Sequence, residues 1–154
     1  MKDYGLVLIH NKEENSFKID QKLESVKGFF KSIVIVSHSP EKFGESLFPV
    51  IVPFMGNSFF SQIYSGLFFM EDKNILALDS GFLFPVLKNL EKLKKNLHKG
   101  VDAALFYEKN KYILTPGAYS TKILNKFRKN VFDPDYDELF IKRMKINKIF
   151  NGES

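Results

Sequence analysis

Asp79 is the residue whose type and position most clearly suggest chemistry. It closes the run "NILALD" (Asn74–Asp79), in which four apolar residues lead into one acid, and it precedes a long amphipathic segment. A carboxylate at the mouth of a strand can meet water, a hard cation such as Mg²⁺ or the N–H groups of the next helix. Burying it unpaired would cost several kcal/mol. A capping or turn aspartate is the alternative reading of the same position. His10 and His38 each follow an apolar run. With Asp79 they could make a transition-metal site, and polar loop residues are the other reading. "DPDYDE" (Asp133–Glu138) starts like a calcium loop. It has Glu138 where that loop needs glycine and Met144 where it needs its bidentate acid, so it reads as a turn and helix start capped by Asp133 or Asp135.

The elements that must hold these residues alternate. "YGLVLIH" (Tyr4–His10), the β-branched "SIVIVS" (Ser32–Ser37), "FPVIV" (Phe48–Val52), "NILALD", "VDAALFY" (Val101–Tyr107) and "KYILT" (Lys111–Thr115) read as strands. Between them, Ile19, Leu23, Val26 and Phe30 share a helical face, and "FFSQIYSGLFFM" (Phe59–Met70) reads as a largely buried helix. "FLFPVLKNLEKLKKNLHKG" is the clearest helix. Pro85 stands in its first turn, an apolar stripe runs from Leu83 to Leu97, and Gly100 closes it. "GAYSTKILNKFRKN" (Gly117–Asn130) is expected to be helical, and "YDELFIKRMKINKIF" a helix with a terminal strand. This order predicts an α/β protein: a three-layer Rossmann-like fold with a mostly parallel sheet, in one domain over 1–154. Ligands of such sheets bind outside the carboxyl ends of the strands, which is where Asp79 falls.

Composition narrows the function. There are no cysteines, so thiolate sites, disulfides and cysteine nucleophiles are excluded. The net charge is +5, but only two of the 23 basic residues, Arg128 and Arg143, are arginines, and the lysines are mixed with acids. That pattern argues against a nucleic-acid reader, which would use arginine. No apolar run is long enough to span a bilayer, and the first residues lack a signal-peptide core, so no membrane partner and a cytoplasmic location are expected.

In order, spacing and apolar pattern, the stretch from Tyr4 to Phe140 resembles the MobA-like NTP transferases. These are the molybdenum cofactor guanylyltransferases and their relatives, of the nucleotide-diphospho-sugar transferase fold. "IVIVSHSPEKF" is similar to the family's second strand and polar loop, and "SFFSQIYSGLFFM" stands where its Gly-Pro-Leu helix stands. "ILALDSGFLFPVLKNLEKL" matches its strand–Asp–helix element, and "YILTPGAYSTKILNKF" its His-Pro segment, with Pro116 in register.

The resemblance implies that Asp79 is the catalytic acid and binds Mg²⁺ and nucleotide phosphates, with Leu8, Lys12 and Ser37 also at the nucleotide. The implied partners are GTP and molybdopterin. The implied chemistry is attack of a substrate phosphate on the α-phosphate of GTP, with pyrophosphate leaving.

The chain departs from the family at the glycine-rich phosphate loop. In an ungapped alignment His10 and Asn11 replace its two glycines, Asn15 its arginine and Gln21 its lysine; the alternative alignment keeps the helix at Ile19–Phe30 and truncates the loop itself to "NKEENSFK". Pro53 replaces the acid after the third strand, and Asn151 is the remnant of a C-terminal metal-side motif. These departures set up a second expectation: a catalytically degenerate relative that binds a protein partner through the Pro53–Phe60 region.

Overall fold

The structure is a computed structural model, and it describes residues 3–10, 16–54, 58–71, 74–80, 87–98, 100–123 and 135–150. Seven strands form one sheet: β1 (Tyr4–Ile9), β2 (Ser32–Val36), β3 (Val50–Ile51), β4 (Asn74–Asp79), β5 (Ala103–Glu108), β6 (Lys111–Ser120) and β7 (Ile146–Phe150). Their order across the sheet is β3-β2-β1-β4-β6-β5-β7. All neighbours pair in parallel except β6, which runs antiparallel to both β4 and β5. The sheet is thus mixed and mostly parallel, as expected from the alternation of strands and helices.

Among the described residues, the α-helices with full bounds are α1 (Ser16–Val26), α2 (Phe59–Leu67), α3 (Leu87–Asn96) and α4 (Tyr136–Arg143). They form two layers because the strands are apolar on both faces. Ile19, Leu23 and Val26 of α1 and Leu90 and Leu93 of α3 cover Leu6, Leu8, Ile35 and Leu78. Phe60, Ile63 and Tyr64 of α2 and Phe140 of α4 cover Val7, Ile9, Ala77 and Tyr119 on the other face. α2 crosses that face. Phe60 packs on Tyr119 of β6, while a Cβ on Gly66 would lie 2.9 Å from Val7 Cγ1 and 3.2 Å from Val36 Cγ2. Glycine here lets helix and sheet approach more closely than a side chain would allow.

Two expectations need correction. Gly117–Ser120 continue β6 rather than opening a helix: Gly117, Ala118, Tyr119 and Ser120 pair with Ala77, Leu76, Ile75 and Asn74. Helical backbone begins at Lys122, and residues 124–130 lie outside those described. The reason is the β5–β6 hairpin. Lys109 and Asn110 both have positive φ, 50° and 63°, which suits a tight turn matched to strand twist. Once β6 is folded back, its second half meets the open edge of β4. The third strand is also shorter than the expected Phe48–Val52, with only Val50 and Ile51 in the ladder. Pro85, Asp133 and Asn151 lie outside the described residues. No helix among the described residues is long and apolar enough to cross a membrane.

Candidate functional site at the carboxyl edge

The three central parallel strands set the edge where a ligand is expected. Ile9 is in register with Val36 on one side and Asp79 on the other. One residue further along stand Ser37, His10 and Ser80, and all three are buried.

His10 is held on several sides. Its N–H donates to the Val36 carbonyl at 2.9 Å, and its Nδ1 lies 2.8 Å from Ser37 Oγ. Ser37 Oγ also accepts the Ser39 N–H at 3.0 Å, so one hydroxyl joins the His10 ring to the backbone of the turn. The Phe43 ring meets the imidazole edge-on at 4.8 Å between centroids. Ser37 therefore builds the turn that ends β2, as a short hydroxyl side chain does when it bonds the backbone two residues on. His38, in contrast, is exposed.

The predicted site residues are distributed as follows. Leu8 and Ser37 fall on the α1–α3 face of adjacent strands. Leu8 is wholly buried between its neighbours Ile35 and Leu78, so its side chain offers a ligand no surface. Asp79 ends β4 and is half-buried, and strand alternation puts it with Ile75 and Ala77 on the α2–α4 side. Lys12 lies outside the described residues. Among the described residues no group of three or more His, Asp or Glu could hold a metal ion, so His10, His38 and Asp79 do not assemble a transition-metal centre. A single carboxylate still suits Mg²⁺, which keeps several waters and is commonly shared between one acid and substrate phosphates.

Sequence reasoning missed a polar clamp on the other face. Both carboxylate oxygens of Asp137, in the first turn of α4, accept backbone N–H groups at the start of α2. Oδ2 takes Phe59 N at 3.0 Å and Oδ1 takes Phe60 N at 2.9 Å. Ser58 Oγ caps the same helix by accepting Ser61 N at 3.2 Å. The helix N-terminus, with its unsatisfied donors and partial positive charge, is thereby neutralised from within the chain. Asp135, expected as a cap, stands at the N-cap of α4 without a side-chain capping bond. Beneath the clamp, Tyr119 Oη donates to the Leu114 carbonyl at 2.6 Å. Burial, with the Asp137 charge adding to it, pushes this phenol well above the usual tyrosine range. Nothing local could have revealed the clamp, because its partners lie 77 and 78 residues apart.

No family model and no curated protein matches the sequence. Solved structures do match. The Aq1419 protein of Aquifex aeolicus superposes with a TM-score of 0.73 at 19% identity, covering 95% of this chain and 85% of that one. Molybdopterin-guanine dinucleotide biosynthesis protein A of Archaeoglobus fulgidus gives 0.69 at 13% identity, covering 95% and 83%. The bifunctional IspDF of Campylobacter jejuni gives 0.67 at 16% identity, covering 97% of this chain and 50% of that one. The chain has the Rossmann-like fold of the nucleotidyltransferases. At these identities the likeness is one of fold.

Proposed function

We propose that this protein binds a magnesium nucleotide at the carboxyl edge of β1 and β4, with Asp79 as the metal- and phosphate-facing acid. The observation that carries this reading is the place of Asp79. It is a half-buried carboxylate at the end of a central parallel strand, in register with the end of β1, in a fold shared with nucleotidyltransferases. The finer reading is transfer of GMP from GTP to molybdopterin, supported by the similarity to the Archaeoglobus protein and by the strand–Asp–helix pattern. In that reaction Mg²⁺ would neutralise charge developing on the phosphates. Asp79 would help hold the ion, and the hydrogen-bonded turn of His10 and Ser37 would fix the end of β1 beside it. Lys12 is assigned to the phosphates, and Leu8 and Ser37, buried on the α1–α3 face, to the strand ends that support the site from beneath.

The test is a calorimetric titration of GTP with and without Mg²⁺, on the wild-type protein and on Asp79→Ala. Micromolar binding that needs both the ion and the carboxylate is the expected result. Release of pyrophosphate on adding molybdopterin would then establish the transfer. Heat that persists in Asp79→Ala, together with a loss of stability of about 0.5–2 kcal/mol, would make Asp79 a capping residue instead.

A second reading, a degenerate relative that works as a partner-binding module around Pro53–Phe60, has one observation in its favour. Phe60 is core, but Phe54 is exposed and meets Phe68 and Phe69 edge-on at 5.5 and 6.5 Å between centroids, and both of those are more than half exposed. Residues 55–57 of that region lie outside those described. Absence of nucleotide heat in both proteins would favour this reading.

A further inference from the structure

A groove of about 490 Å³ lies on the α1–α3 face, away from Asp79, between α1 and residues 41–47. Its α1 wall is Phe17, Asp20, Gln21 and Glu24. This spacing of three and four residues makes one outward stripe, opposite the core stripe of Ile19, Leu23 and Val26. Across from it stand Glu41, Lys42, Gly44, Glu45 and Leu47, with buried Phe43 also lining the groove.

Two features make this an organised surface. The far wall is tied to the helix, because Ser46 Oγ donates to Asp20 Oδ1 at 2.7 Å while accepting Phe48 N at 3.2 Å. Phe43 is fixed from behind by the His10 ring. The walls are therefore set before anything binds, which lowers the ordering cost of association. Gly44, at φ 52°, makes the turn between Phe43 and Glu45 and would be strained with any side chain.

The chemistry of the groove is specific. Phe17 and Leu47 are 68% and 72% exposed, the highest values among the large hydrophobic side chains of the described residues. Four carboxylates, Asp20, Glu24, Glu41 and Glu45, line the groove with them, and among the described residues Lys42 is the one cation in the lining. Glu24 also pairs with Lys27 outside the groove. In a chain of net charge +5 this is a local inversion of sign around an apolar centre. Phosphates would be repelled from it. A basic surface would be drawn to it and oriented by it.

We propose that this groove docks a basic segment of a partner protein, one aliphatic side chain seated against Phe17, Phe43 and Leu47 and flanked by lysines or arginines facing the four acids. The test is selection from a random peptide display library on the wild-type protein, with anisotropy of the enriched peptide measured afterwards. Enrichment of sequences with an apolar residue between basic ones is expected, with binding that weakens as salt rises. The Glu41→Lys/Glu45→Lys variant should lose about tenfold or more in affinity, because like charges then face each other. Leu47→Ser should lose affinity without changing the salt dependence. All three positions are exposed, so an unchanged melting curve will show that the variants fold. No enrichment, enrichment of acidic or neutral peptides, or equal binding by the variants would overturn the proposal. So would wild-type self-association that both variants abolish. GTP titration of the charge-reversed variant keeps this result separate from the Asp79 reading, because nucleotide binding should be unaffected.

Discussion

The two faces of the sheet are covered in different ways. On the α2–α4 face, Phe60 is wholly buried, stacks on Phe140 at 4.4 Å between centroids and meets Tyr119 edge-on. Asp137 binds α4 to the start of α2, and Gly66 lets α2 sit down on Val7 and Val36. On the α1–α3 face the apolar packing is as continuous under the helices, but at the carboxyl edge it gives way to the His10–Ser37 turn and a groove with exposed Phe17 and Leu47. At the start of α2 one face uses its polar groups to close itself, whereas the other leaves carboxylates and the apolar Phe17 and Leu47 facing outward together. The difference sets a clamped helix packing against an open groove on opposite sides of the same strands.

The largest test of that contrast is a pair of matched truncations. Phe60→Ala should cost about 3–5 kcal/mol, the usual range for emptying a packed aromatic site. Phe43→Ala should cost clearly less, because Phe43 borders open space and its neighbours can be rehydrated. Equal losses in denaturant unfolding would erase the distinction. A smaller effect should come from the clamp. Asp137→Ala leaves two backbone donors without their charged acceptor and should cost about 1–3 kcal/mol, with Asp137→Asn, which keeps one acceptor oxygen, losing less. The smallest is Tyr119→Phe, at about 0.5–1.5 kcal/mol for the lost bond to Leu114. It also has a pH signature. The folded state holds the Tyr119 proton more tightly than the unfolded chain does. Its contribution is complete below the ordinary value of 10.0 and is lost as pH rises above it. Tyr119→Phe should therefore flatten the alkaline fall in stability, leaving the part due to Tyr4, whose phenol is pushed up to about 12 by burial.

Much of the fold was legible in the sequence because it rests on local periodicity. The continuous apolar runs of β1, β2 and β4 and the Ile19–Leu23–Val26 stripe need no partner to be recognised, and they put Asp79 at the carboxyl edge. Legibility failed where a distant partner decides. Gly117–Ser120 carries no strong period, and its pairing between β4 and β5 makes it strand. Asp137 looks like an ordinary first-turn acid of α4 until α2 is placed beside it. His10 read as an open loop residue, yet Phe43 and Ser37 enclose it. The groove was invisible for the same reason, since its two walls are separate in sequence.

The Asp137 clamp also has a kinetic side. The first amides of α2 find their charged acceptor only after a residue nearly eighty positions later has been made and α4 has docked. During synthesis α2 must wait with that end solvated, and closing so long a loop is slow compared with forming the helix itself. Mutations at Asp137 should then speed unfolding more than they slow refolding, which is the behaviour of a contact made late.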